Sequence, residues 1–507
     1  MQGEKSRRLG AKAVAGSIAA IVLLSLVAST PESPFHPLLP EGEGAAAPLR
    51  WLAEAVGLDR LPRGGLAAVA VVALLFGAVT FLYALRCAWR GEISLRVVVG
   101  LGVAFSLLML ALPLLFSRDV YNYSMYGRIA GVYHANPYVA VPADFPSDPL
   151  FPLTGIKWHT TPSVYGPAFT LASSGIARAV DDIGGLVFWF KAIAVAASIG
   201  TLLLIARVAG RVKPDRAAFA VLLFAWNPVV LFNSVASGHN DMLVALSVAA
   251  AVALLFARRE LAATAVLTLG ALVKAPAAVP LLLLVVYVVS HRPKGERARA
   301  AAAHLGVVVA LVAVFAAPFM QTSDPSLGLI EASSHEGGFA VSRFLSHLVP
   351  ALGTPVRYLF LAGFLVVFVL IAREVARGPA LPASVAAAWG WALLFITLTG
   401  PVLLPWYIVW TLPLAWLLPR VPLMSVIALS VTMSVFQMAA EPLLYERLYD
   451  TSVLIRDWVI VPLVCGGILA WLAVDARRRL RLPEGDPFGG LLPAKERQQV
   501  AGHSDGS

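Results

Sequence analysis

The chain has 507 residues, of which 59% are hydrophobic and only 13% charged. An ordinary soluble domain carries about 25% charged residues, so a water-soluble enzyme of this size is excluded. The formal net charge of +10 would suit nucleic acid, but in a chain of long apolar runs it marks Lys and Arg retained on the cytoplasmic side of a membrane. No nucleic-acid partner is expected. The two cysteines, Cys87 and Cys465, are too few for a Cys-based metal site, and no disulfide framework is expected.

In lipid every backbone group must be satisfied within its own segment, so the apolar runs read as helices. The first follows Lys5, Arg7, Arg8 and Lys12 and lacks a clear small-residue cleavage site. It is read as a retained helix over 13–30 rather than a signal peptide. Further spans are predicted at 65–86, 96–116, 184–208, 217–235, 240–257, 261–273, 276–290, 301–318, 354–374, 381–399, 402–419, 422–440 and 456–474, about fourteen in all. The stretch 261–290 contains Lys274, Pro276 and Pro280. Because the residue before a proline leaves the helical region, two short helices are predicted there, turning at 273–276 with Lys274 near the outer side.

With that count the basic links fall on one face: Arg86, Arg90 and Arg96; Arg207 to Arg216; Arg258 and Arg259; Arg292 to Arg299; Arg373 and Arg377; Arg420; and Arg477 to Arg481. That face is the cytoplasm, and both termini lie on it. Residues 1–482 read as one membrane domain, and 483–507 as a polar, disordered cytoplasmic tail. The outer segments are then 31–64 with a short helix near 50–56, 117–183, the turn 237–241, the Lys274 turn, 319–353, a turn at Gly400–Pro401, and 441–455. No internal repeat of the kind common in transporters is visible.

The polar chemistry gathers in the outer segments. If 119–131 is a helix along the membrane surface, Asp119, Asn122, Tyr123 and Tyr126 share one face. Such a carboxylate could hold a sugar and take a proton from its hydroxyl, or could simply pair with Arg118. Asn136-Pro137-Tyr138, Trp158-His159 and Tyr165-Gly166-Pro167 could form aromatic platforms for sugar rings or an interfacial belt. In Ser237-Gly238-His239-Asn240-Asp241, helix capping is favoured over metal ligation, since two ligands in one turn are too few. Lys274, flanked by hydrocarbon, must snorkel to water or pair, and a lipid phosphate would be a good partner. Pro405-Trp406-Tyr407 alone reads as an interfacial anchor. Isolated charges such as Glu441, Arg343 and Glu336 read as solvated, and His335-Glu336-Gly337-Gly338 as a possible loop near an entrance.

Taken in order, Arg118-Asp119-Val120-Tyr121, Gly127-Arg128, Asn136-Pro137-Tyr138, Trp158 to Pro167, Gly238 to Asp241, Val273 to Pro276 and Pro405 to Trp410 form a set. It resembles the polyprenol-phosphate-mannose-dependent α-1,6-mannosyltransferases of actinobacterial cell envelopes, within the GT-C glycosyltransferases. Here Asp119 follows the third predicted span, whereas the acidic loop of many GT-C enzymes follows the first. The resemblance implies an all-α polytopic GT-C-like bundle in the bacterial plasma membrane, with a large first outer catalytic loop at about 117–183 that carries short surface helices. It implies a polyprenyl-phosphate sugar donor and a glycan or glycolipid acceptor, with no cofactor and no metal. Asp119 would be the general base and sugar transfer would invert. Lys274 and Arg128 would bind the donor phosphate. Tyr121, Asn122, Tyr123, Trp158, Tyr165, His239, Asn240, Asp241, Trp406 and Tyr407 would contact sugar or acceptor. A transporter or flippase of lipid-linked sugars, or a transferase of another sugar, is the competing expectation.

Overall fold

The structure is a computed structural model that describes residues 2–40, 49–320 and 336–480. The predicted tail 483–507 and His335 lie outside the described residues. The described chain is almost wholly helical. Its one sheet is a pair of two-residue strands, Gly337–Gly338 and Val402–Leu403, in parallel register.

Among the described residues, seven helices are long and apolar enough to cross a bilayer. They are Arg8–Ala28, Arg63–Trp89, Ile183–Val212, Lys294–Phe319, Pro355–Arg377, Pro382–Thr399 and Glu446–Asp475. The bent pair Pro214–Ala225 and Val229–Val235 would make an eighth. About fourteen spans were predicted because five further apolar helices are too short for this test: Leu95–Leu110, Asp241–Phe256, Glu260–Ala271, Ala275–Ser290 and Arg420–Val435. At 1.5 Å per residue, a 16-residue helix reaches about 24 Å against a hydrocarbon core of about 30 Å.

Three predicted spans are reshaped by proline. The 96–116 helix ends at Leu110, ahead of Pro113, which can neither donate a hydrogen bond nor continue the coil. The 217–235 span breaks by 40° between Ala225 and Val229, around Pro228, and resumes as a π-helix. The 402–419 segment is not a membrane helix. It is two buried 3-10 turns, Pro405–Trp410 and Leu412–Leu417, each with proline in its first turn. In contrast, the chain breaks between Ala271 and Ala278 as Pro276 predicts.

Burial sorts the helices. The apolar window of Pro382–Thr399 is 78% buried, whereas those of Lys294–Phe319 and Pro355–Arg377 are 11% buried and face outward. The predicted surface helix is Asp119–Gly131, and it is not on the surface. Ten of its 13 residues are buried, in a second hydrophobic cluster with Leu150, Leu153, Tyr165, Phe169 and Phe190.

Three distant segments meet just before that helix. The Phe116 amide donates to the Phe35 carbonyl at 2.9 Å, and the Leu38 amide donates to the Pro442 carbonyl at 3.1 Å. Pro37 and Leu443 form an antiparallel bridge. Residues 35–38 are thus laced between the 441–444 strap and the turn that delivers Asp119, where Phe116 adopts φ 61°.

Candidate active site

Asp119 opens its helix, its amide donating to Ser117 Oγ at 3.1 Å. Its carboxylate Oδ2 lies 3.3 Å from His239 Nδ1 and accepts a long 3.5 Å hydrogen bond from the Tyr123 hydroxyl. The same hydroxyl is 3.4 Å from His239 Nδ1 and 3.3 Å from Asn240 Oδ1. Four residues from two segments therefore close one polar cluster. With Nδ1 turned to Asp119, His239 carries its second ring nitrogen, Nε2, on the far edge of the ring. Burial pushes the Asp119 carboxyl up, but the hydrogen bond from His239 and the charges of Lys274 and Lys157 outweigh it and hold it below the usual carboxylate range. Asp119 is thus ionised at neutral pH and ready to accept a proton.

The 237–241 turn can approach because residue 238 is glycine. Gly238 has φ +66°, and a Cβ there would lie 2.7 Å from Val120 Cγ2. Capping, which the residue types favoured, is not what this turn does. Asn240 precedes the helix Asp241–Phe256 without a side-chain cap bond. Asp241 instead accepts from Lys274 Nζ on both oxygens at 2.8 Å and from Trp410 Nε1 at 2.7 Å. Its side chain is fully buried, and two charge-assisted bonds and an indole offset that burial. Lys274 also lies 4.6 Å above the Tyr407 ring.

Lys274 arrives through the Tyr165-Gly166-Pro167 motif. Gly166 N donates to the Val273 carbonyl at 3.1 Å and Ala168 N to Leu272 at 3.0 Å. A Cβ on Gly166 would sit 2.1 Å from the Leu272 carbonyl oxygen, so only glycine permits the contact. Tyr165 in turn packs edge-on to Tyr123 at 4.8 Å and stacks with Trp158 at 6.4 Å. On the opposite wall, Trp406 stacks on His239, with ring centroids 4.0 Å apart and planes at 17°.

Three polar atoms of this cluster, His239 Nε2, Asn240 Nδ2 and Trp406 Nε1, are buried with no hydrogen-bond partner among the described residues. Buried polar groups are rarely left so. Here three of them flank an ionised carboxylate among aromatic faces. That combination suits a polyhydroxylated ring, which offers hydroxyls to the orphaned atoms and C–H faces to the aromatics. No group of three or more His, Cys, Asp or Glu side chains that could hold a metal ion occurs among the described residues.

Asp119, Tyr123, Tyr165, His239, Asn240, Asp241, Lys274, Trp406 and Tyr407 therefore come together, with Trp158 behind Tyr165. Other predicted site residues do not. Arg128 Nε pairs with Asp148 Oδ2 at 2.7 Å, which also accepts from the Tyr133 hydroxyl at 2.7 Å, so Arg128 fastens the 132–166 loop. Asn122 is buried and accepts from the Gly155 amide at 3.4 Å, and Tyr121 is buried in the second cluster. Asp119, Asn122, Tyr123 and Tyr126 do share one side of the Asp119–Gly131 helix, and Tyr126 packs on Tyr165 as Tyr123 does, but its hydroxyl donates to the Thr161 carbonyl at 2.6 Å rather than to the Asp119 cluster. Asn136-Pro137-Tyr138 is a brace, with the Tyr138 hydroxyl donating to the Tyr165 carbonyl at 2.7 Å.

Three residues escaped the sequence reading. Trp410 was visible only as part of an apolar motif. Lys191, a single cation in an apolar run, is 2% exposed and donates to the Leu112 and Leu110 carbonyls just past the Leu95–Leu110 helix, a favourable end for a cation. Glu441, read as solvated, is partly buried. Burial and then the Asp119 charge push its carboxyl up to about 7. Arg343 is likewise not free, since it bonds Asp457 at 3.0 Å.

Comparison with known proteins identifies the family. The family model described as alpha-(1->6)-mannopyranosyltransferase, N-terminal domain, matches residues 37–290. The chain is 26% identical over 359 residues, 65% of its own length and 68% of the other's, to alpha-(1->6)-mannopyranosyltransferase A of Mycobacterium tuberculosis (strain ATCC 25618 / H37Rv). No solved structure gives a significant match. The chain belongs to the alpha-(1->6)-mannopyranosyltransferase family and is a membrane glycosyltransferase.

Proposed function

We propose that this protein transfers mannose from a polyprenyl-monophosphate donor to a hydroxyl of a cell-envelope glycan or glycolipid, at the outer face of the membrane and with inversion. The observation that carries the reading is the ionised Asp119 carboxylate beside the unpartnered His239 Nε2, Asn240 Nδ2 and Trp406 Nε1. Family membership supports the sugar.

In this reaction the acceptor hydroxyl oxygen bonds to the anomeric carbon. The bond from that carbon to the phosphate oxygen breaks, and its electron pair leaves on the polyprenyl phosphate. The hydroxyl proton passes to an Asp119 oxygen. His239 and Tyr123 hold that carboxylate in place and would stabilise it between turnovers. Trp406 and Tyr165 supply aromatic walls for the sugar. The Lys and Arg bias of the short loops supports placing this site outside the cytoplasm, with both termini inside.

The test is transfer from labelled polyprenyl-phosphate mannose by the purified protein to short mannoside acceptors. The wild type is expected to form an α-1,6 linkage. Asp119→Asn is expected to lower kcat by about 10²–10⁴-fold with an unchanged melting temperature. Wild-type rates in Asp119→Asn would overturn the assigned base, and activity only with nucleotide sugars would overturn the donor class.

A further inference from the structure

The two cations expected to meet the donor phosphate are both already compensated. Lys274 gives two 2.8 Å bonds to Asp241, and Arg128 is paired with Asp148 at 2.7 Å. Arg118 differs. Its one hydrogen bond among the described residues is a long one, 3.5 Å from Nη1 to the Thr154 carbonyl. It forms no ion pair there, although it is only partly exposed. A guanidinium taken partly out of water without a carboxylate is costly unless an anion meets it.

Its position is suited to that anion. Arg118 directly precedes Asp119 at the N-terminus of the Asp119–Gly131 helix, the positive end of the helix dipole. The turn that accepts its hydrogen bond continues to Lys157, whose ammonium lies 5.1 Å over the Trp158 ring. Trp158 stacks on Tyr165, and Tyr165 packs on Tyr123 beside Asp119. The charge of Lys157 is felt at both Asp119 and Glu441, and that of Arg118 at Glu441. Near the base, then, Arg118 and Lys157 form no ion pair among the described residues, and the carboxyls within their reach are Asp119 and Glu441. While Glu441 is protonated the group carries a surplus of one positive charge, which matches the single negative charge of a sugar–phosphate–lipid diester.

We propose that Arg118, assisted by Lys157, binds the phosphate of the lipid donor and stabilises the phosphomonoester as it leaves. This rests on the reading of the protein as a lipid-phosphate-dependent mannosyltransferase. The planar guanidinium can meet two phosphate oxygens at once. Charge on those oxygens grows as the bond to the anomeric carbon breaks, so the interaction strengthens toward the transition state. Lys274 is then a positioning residue that fixes Asp241 and Trp410 rather than the phosphate ligand.

Two measurements on the full-length, detergent-solubilised protein test this. In thermal-shift titrations a short-chain polyprenyl monophosphate is expected to stabilise the wild type, less so Arg118→Lys, and Arg118→Gln not at all. Polyprenol, inorganic phosphate and phosphatidylglycerol at equal concentration are expected to give no shift. In transfer assays Arg118→Gln is expected to lower kcat/KM for donor by roughly 10- to 100-fold, as loss of charge-assisted hydrogen bonds does, with acceptor KM unchanged. Should Arg118→Gln fail to fold, Arg118→Lys, which keeps the charge and loses the fork, is expected to raise donor KM and to lower kcat, each less than full loss of the charge would. The proposal is overturned if the Arg118 variants retain the full shift while Lys274→Gln abolishes it, or if phosphatidylglycerol shifts the wild type as strongly as polyprenyl monophosphate. Polyprenyl monophosphate binding through Arg118 in a protein that transfers no mannose would sink the functional reading and leave the phosphate site standing.

Discussion

Glu441 is a carboxyl whose ionisation the surrounding protein opposes. Burial and the charge of Asp119 raise it from the ordinary 4.5 to about 7, against the smaller pull of Lys157 and Arg118. The folded chain therefore holds this proton more tightly than the unfolded chain. The stabilisation is complete below the unfolded value and is lost as pH rises through the folded one, so stability drains between 4.5 and about 7. Glu441→Gln cannot titrate and should abolish that loss. Its melting temperature is expected to match the wild type near pH 5 and to exceed it by a few degrees near pH 8. Parallel wild-type and variant curves across that range would show that Glu441 is not opposed in this way. Asp119, held by His239 at 3.3 Å and Tyr123 at 3.5 Å, has the opposite tendency and stays ionised throughout. One fully buried aspartate, Asp241, is satisfied directly by Lys274 and Trp410.

At the scale of elements, the site is made by turns pressed against one another, and each close approach is gated by a small residue. Gly166→Val is the sharpest test. A Cβ there would lie 2.1 Å from a backbone carbonyl, which cannot yield as a flexible side chain would. The variant is expected to lose about 1–3 kcal/mol of stability and most of its transfer activity, measured by thermal unfolding and by single-turnover assay. Retention of both would mean that the 272–274 turn is not held by this contact. Periodicity and punctuation made much of this legible in the chain. Asp119–Gly131 follows from its polar face, and the break before Ala278 from Pro276. The Trp406 segment misled, because 402–419 is as apolar as a membrane helix. Composition does not distinguish a segment buried by protein from one buried by lipid. Glu441, Lys191 and Trp410 stayed hidden for another reason. Each acquires its role from partners far away in sequence, and local pattern carries no information on which loops meet.

At the scale of the whole molecule, orientation is open to a direct test. Cys87 and Cys465 are both buried and should be silent to a membrane-impermeant maleimide. Ile156 is 84% exposed in the 132–166 loop, and Arg211 is exposed at the end of the Ile183–Val212 helix. In intact cells Ile156→Cys is expected to label and Arg211→Cys to label only after permeabilisation. The reverse pattern would put the candidate site in the cytoplasm and exclude the lipid-linked donor geometry argued above. The lacing of residues 35–38 between Asp119's turn and the 441–444 strap has a consequence for biogenesis. The strap lies beyond residue 290, where the match to the family's N-terminal domain ends. A nascent chain that has inserted its first helices still lacks the 441–444 segment that laces residues 35–38 beside Asp119's turn, and also Trp406 and Trp410. Contacts this far apart in sequence form late. On the proposed reading of Asp119 as the base, the site is incomplete until nearly all of the chain has been synthesised, and a ribosome-bound fragment, however well anchored, is expected to transfer no sugar.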